Sequence, residues 1–376
     1  VIRAASFLFV GCFLFTRAVS AKDAPAFTPS EVERILAHGP WPLPAARDPS
    51  NRVSGAPAAI VLGERLFFSP RLSGTGSVLC ASCHEPWRSY TDGRARAFGL
   101  APVDRNTPTL FNVRLNRWFG WDGSNDNLWG QSIRPLLEPR EMHSSAARVG
   151  GLVRGDPELA AAYRKAFGVP PEADDETLLA GVGKALAAYQ ETLASGRTPF
   201  DEFRDALARE DAEAAGHYPR EAQRGLKIFL GAGGCAACHS GPDFSDGTFH
   251  RVGVASRRGN GEPDTGREGG IRKLLASPFN LLGSYNDDRL RSTAVGTQRA
   301  AADADAAGAF RTPGLREVAR TAPYMHDGSL ATLCAVLERH PEGASALLSA
   351  WERSELVAFL NSLSAPPAAG EAQPCP

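Results

Sequence analysis

Two pentapeptides constrain this chain more than any other feature: Cys80-Ala-Ser-Cys83-His84 and Cys235-Ala-Ala-Cys238-His239. A bare Cys-x-x-Cys suits zinc or thiol–disulfide exchange, but a His directly after the second Cys changes the chemistry. The two thiols can add to the vinyl groups of one haem, and the neighbouring imidazole then becomes the proximal ligand of its iron. Structural zinc would need further Cys or His close by, and none follows either motif within a few residues. The motifs predict two covalently attached haem c groups, with His84 and His239 as iron ligands.

Two such groups need two cores, and 376 residues with 43% apolar content are enough for both. The formal net charge of −1 excludes a broadly basic face for nucleic acid. Residues 1–21 read as a cleaved secretory signal peptide: an apolar run behind Arg3, then Ala18-Val-Ser-Ala21 before the polar Lys22-Asp23. The run is too short to persist as a transmembrane helix, so a periplasmic protein with no membrane span is expected. Of seven cysteines, Cys12 leaves with this segment and four serve the haems. Cys334 and Cys375 remain, either as a disulfide fastening the tail or as two thiols.

The halves resemble each other. Gly63-x-x-Leu66-Phe67 precedes the first motif as Gly225-x-x-Ile228-Phe229 precedes the second. Thr107-Pro-Thr-Leu-Phe-Asn-Val113 recurs as Thr312-Pro-Gly-Leu-Arg-Glu-Val318, and Trp121-Asp-Gly-Ser124 as His326-Asp-Gly-Ser329, both at an offset of 205 positions. Carried forward, that offset pairs Pro135 with His340. Proline has no donor for iron, whereas imidazole is a good sixth ligand. One haem is therefore predicted open and the other closed.

The sequence predicts a mainly α protein of two cytochrome c-like domains related by internal duplication. The boundaries are 22–195, 196–364 and a disordered tail at 365–376, with a linker near 195–220. Helices are expected near Ala58–Phe68, Asp156–Phe167, Asp175–Ala194, Pro219–Leu230 and Glu352–Leu363, from apolar spacing and Asp caps. No strong β pattern appears.

With these residues in view, the chain resembles the bacterial dihaem cytochrome c peroxidases and their MauG-type relatives, over nearly the whole mature sequence. The segment Trp121-Asp-Gly-Ser…Gln131…Pro135…Pro139-Arg-Glu141-Met142 carries the resemblance most specifically. It implies Trp121 as an electron-transfer bridge between the haems, Gln131 and Glu141 in the distal pocket of the peroxide-reacting haem, and calcium between the domains at Asn106, Thr321 and Pro323. The sixth ligand of the electron-transfer haem falls on His340, where many members have Met and MauG has Tyr. Phe98 lies near the place of a displaceable His that many peroxidases carry. The implied function is reduction of hydrogen peroxide with electrons from a small periplasmic cytochrome c or cupredoxin. MauG-like oxidation of a protein substrate and simple electron carriage are the alternatives, and the sequence is compatible with a homodimer.

Overall fold

The computed structural model describes residues 25–254, 257–301, 306–340 and 348–365. The expected signal peptide, Cys375 and the tail beyond residue 365 lie outside the described residues. Cys334 is disulfide-bonded.

The chain is mainly helical. Its one sheet among the described residues is a two-stranded antiparallel pair, β1 (Phe249–His250) against β2 (Phe310–Arg311). The longest helix in the first half, Asp175–Gln190, starts where the Asp174 carboxylate accepts from the Thr177 amide. It is buried all round from Leu178 to Gln190, so it forms the axis of a core rather than a surface stripe. Helices Pro57–Phe67, Leu128–Leu137 and Ala146–Gly155 pack against it. In the second half, Arg220–Leu230 packs against Ala350–Asn361.

Both halves depend on a glycine where two helices cross. A Cβ on Gly63 would fall on the carbonyl of Ala185 and against Tyr189, and one on Gly225 would fall on the carbonyl of Glu355 and against Phe359. The backbone repeats further along at the offset seen in the sequence. Asn112 and Glu317 take φ of 60° and 62°, Gly120 and Met325 both take 73°, and Gly123 and Gly328 take 62° and 63°. Isolated bridges join Phe119 to Asn125 and Tyr324 to Leu330. Side chains of Asn127 and Thr332 then cap the helices Leu128–Leu137 and Leu333–Arg339. Left-handed backbone costs a non-glycine residue on the order of 1 kcal/mol or more. Glu317 and Met325 adopt it even so, as members of the repeated loop.

The repeated loops meet face to face. Asn106 N–H donates to the His326 carbonyl at 2.9 Å, and Arg311 N–H to the Trp121 carbonyl at 2.8 Å. Asn106 and Arg311 are themselves related by the offset, as are Trp121 and His326, so the two bonds are reciprocal under it. Arg105 reinforces this contact through ion pairs at 2.7 Å to Asp122 and Asp264.

The two cores cross the expected boundaries. The first runs from Leu62 to Leu193 and adds Phe279; the second runs from Phe200 to Leu363 and adds Ile35. Helix Pro29–Leu36 thus docks on the half opposite to the one its sequence position suggests, because its one buried side chain, Ile35, enters the second core. Residues 195–220 are not a linker: helix Pro199–Ala208, capped by Thr198, buries Phe200 and Phe203. The Arg316 guanidinium pairs with Asp201 at 2.9 and 3.0 Å, both side chains fully buried, and packs 3.7 Å from the centre of the Trp41 ring. No helix among the described residues is long and apolar enough to cross a membrane.

Candidate functional site

A cavity of about 240 Å³ opens beside the first motif. Cys80, Cys83 and His84 line it with Asn106, Trp121, Gln131, Pro135 and Glu141, so eight of the residues singled out in the sequence share one chamber. The His84 Nδ1 faces the Tyr90 carbonyl at 3.0 Å, which leaves Nε2 as the nitrogen with a free lone pair. Tyr90 reaches this position in left-handed backbone (φ 58°). Gln131 and Pro135 come from helix Leu128–Leu137. The Gln131 Oε1 accepts from Asn125 Nδ2 at 2.8 Å, which assigns its NH2 end to other partners.

Glu141 follows that helix in a turn and is gripped by Arg134, at 2.7 and 3.2 Å to its two oxygens. The loop 97–101 closes over it: Leu100 and Ala101 amides donate to the Arg140 carbonyl, and any side chain on Gly99 would strike the Glu141 backbone. Ala97 and Gly99 supply the loop's share of the wall, while the Phe98 ring is about half exposed with Arg94 over it. One thioether reaches the lining, that of Met142, and it belongs to the first hydrophobic core.

The second cavity, about 230 Å³, is lined by Cys235, Cys238 and His239, and also by His340 and Met325. His239 is oriented like its counterpart, with Nδ1 at 3.0 Å from the Phe244 carbonyl. Phe244 is again left-handed (φ 54°), and the buried His38 ring stacks on it at 4.2 Å while its Nδ1 meets the Gly241 carbonyl at 2.8 Å. His340 stands just after helix Leu333–Arg339, while the residue at its offset, Pro135, lies inside Leu128–Leu137.

Burial holds the His38 pKa down to about 4, with Arg316 and Arg34 adding to the effect against the Gly241 hydrogen bond. Its unfolded value is near 6.5, so the unfolded chain binds the extra proton first as pH falls. The contribution is complete above pH 6.5 and is lost on descending towards 4, about 3 kcal/mol in all. His38→Phe is expected to remove that slope; denaturant unfolding of both proteins between pH 4 and 7 measures it, and parallel curves would contradict it.

Trp121 lies on the wall of both cavities, its indole N–H donating to the Asn106 carbonyl at 2.9 Å. Asn106, Thr321 and Pro323 line the second cavity together. Asn106 Nδ2 donates to the Arg94 carbonyl at 2.8 Å, which points the amide oxygen elsewhere. One cluster of metal-ligand types, Cys238, Asp246 and His250, occurs among the described residues, but it shares Cys238 with the second motif.

The family model for di-haem cytochrome c peroxidase matches residues 57–209. The chain is 37% identical over 326 residues to the methylamine utilization protein MauG of Methylorubrum extorquens, covering 83% of this chain and 80% of that one. The chain belongs to the dihaem cytochrome c peroxidase family. It is also 34% identical to the cytochrome-c peroxidase IdrP2 of Denitromonas iodatirespirans, over 82% of each chain. Among solved structures, a MauG-like protein associated with microbial copper homeostasis superposes with a TM-score of 0.63 at 26% identity, covering 87% of this chain and 96% of that one. The protein is thus a peroxidase-like oxidoreductase of the dihaem type.

The residues fit the haem c that this family carries. Burial pushes the Cys80 thiol up to about 12 and those of Cys83 and Cys235 to about 11. Such sulfurs resist becoming the thiolates that zinc or redox exchange requires, whereas a thioether is uncharged and suits the site. Burial likewise keeps His84 and His239 neutral, the form that ligates a metal. Sequence reasoning missed Arg134, Asn125 and His38, each visible only once its partner is in place.

Proposed function

We propose that this protein reduces hydrogen peroxide at the first cavity, with electrons that enter through the second from a small periplasmic redox protein. The observation that carries the reading is the unequal wall: Pro135 stands on the first cavity where His340 stands on the second. In this reading two duplicated cytochrome c-like domains each hold one haem c, and the extra ligand at His340 closes the second. Haem c, which Cys80, Cys83 and His84 would hold, would supply the first site with redox chemistry able to take up the oxidising equivalents of peroxide.

Glu141 takes the proton from the near peroxide oxygen and returns it to the far one as the O–O bond breaks, while the Gln131 amide donates to the oxygen that gains charge. Two electrons and two protons balance the conversion of one peroxide to two waters. Trp121, on both walls, is the side chain placed to pass those electrons between the sites. Calcium at Asn106, Thr321 and Pro323 would sit beside this path, its remaining ligands made up by water.

A second reading, MauG-like oxidation of a protein substrate, is favoured by the loop 97–101, which brings no imidazole to the first cavity. Electron carriage alone leaves Glu141 and Gln131 without a use. EPR of the ferric protein is expected to give one high-spin and one low-spin haem, and His340→Ala to convert the low-spin signal. Two low-spin signals would remove the open site, and an unchanged spectrum in the variant would remove His340 from the sixth position. Turnover of peroxide with reduced cytochrome c separates the two catalytic readings; its absence, with a long-lived oxidised state after peroxide, selects the second.

A further inference from the structure

Among the arginines in the interior, Arg311 is the one whose Nε is buried without a partner among the described residues. Arg316 is matched by Asp201, and Arg105 by Asp122 and Asp264. Arg267 lies between the rings of Trp118 and Phe249 and donates to the Gly123 carbonyl. Arg311 is 8% exposed, makes no ion pair among the described residues, and leaves its buried Nε without a partner. Its Nη1 meets only neutral acceptors, Asn116 Oδ1 at 3.0 Å and the Thr312 carbonyl at 3.2 Å. Burial pulls its pKa down to about 10, with Asp243 opposing from beyond ion-pair distance. A guanidinium buried without a counter-charge is costly, and a buried N–H left without an acceptor on a cavity wall is a donor that an arriving anion would satisfy.

Two further observations say where and what. Arg311 lines both cavities, with Trp121 and Asn106. By the offset of 205 positions it also takes the place of Asn106: the set Asn106, Thr321 and Pro323 maps onto Arg311, Asn116 and Trp118. The Arg311–Asn116 contact therefore lies at the counterpart of the place proposed for calcium. One member of the related pair is a neutral amide that could accept a cation; the other is a cation fixed to the chain.

We infer that Arg311 is a built-in counter-cation between the two centres, and that its free Nε–H binds a propionate carboxylate of an attached haem. It is a positioning residue: it fixes the porphyrin edge and adds positive charge near iron, which favours the reduced state. A planar donor fork suits a carboxylate better than an ammonium would. The inference rests on haem attachment at both motifs but on neither catalytic reading, and its test needs no turnover.

The test uses the holoprotein as wild type, Arg311→Gln and Arg311→Lys, with haem content counted first. Redox titration should show at least one haem shifted to lower potential in Arg311→Gln and a smaller shift in Arg311→Lys. Resonance Raman should show the propionate bending band displaced in both. Two haems with potentials and propionate bands unchanged in Arg311→Gln would overturn the inference. Should that variant not accumulate, an unchanged band in Arg311→Lys would overturn it equally. Fewer than two haems in the wild type would overturn the attachment itself and this inference with it.

Discussion

Replacing Glu141 with Gln is expected to slow the reaction of the ferric protein with peroxide by about 10²- to 10⁴-fold, the usual worth of a placed acid–base group. Gln keeps the size of the side chain and its place beneath Gly99, but cannot take a proton. The change also opens the Arg134 pair, whose arginine side chain is 40% exposed, so the stability cost should stay at or below about 1 kcal/mol. Rate and stability can therefore be read separately. Stopped-flow mixing with peroxide gives the first and denaturant unfolding the second. A rate within threefold of wild type would remove Glu141 from the proton-transfer role. Arg134→Lys, which keeps the charge and loses the fork, should fall between the two.

Asp201→Asn is expected to destabilise the protein by about 3–5 kcal/mol, because it leaves the Arg316 guanidinium buried and uncompensated. Arg316 also donates to the Pro242 carbonyl at 2.6 Å, inside the loop that presents Phe244 to His239. Asp201 in turn accepts from the Thr198 amide and hydroxyl, each at 2.9 Å, closing the start of helix Pro199–Ala208. Adding Arg316→Met to Asp201→Asn should restore part of the loss, since two neutral groups need no mutual compensation. Denaturant unfolding of the four proteins measures the cycle. A double variant no more stable than Asp201→Asn would assign the loss to the helix start instead.

What the sequence made legible was local or periodic. Helix Pro157–Phe167 announces itself through Asp156 and the apolar spacing behind it. The offset pairing Pro135 with His340 needed no structure either, since the repeated tripeptides fix it. Helix Leu128–Leu137 was hidden by Pro135, which reads as a breaker but is accommodated two residues before the helix ends. Arg134 and Arg311 gave no signal because their meaning lies in partners across a turn or across the molecule: Glu141 is 7 positions from Arg134, and Asn116 is 195 from Arg311. The docking of helix Pro29–Leu36 was equally invisible, being decided by where one isoleucine finds a matching surface.

The exchange of segments between the cores bears on how the polypeptide can be made. A chain growing from its N-terminus has Cys80 and every later contributor through Leu193 in hand long before Phe279 appears. Its earliest described helix, Pro29–Leu36, lacks its docking site until Phe200 and the residues beyond it have emerged. A cut between residues 195 and 196 would strip Phe279 from the first core and Ile35 from the second, so neither half can be produced intact as a separate fragment.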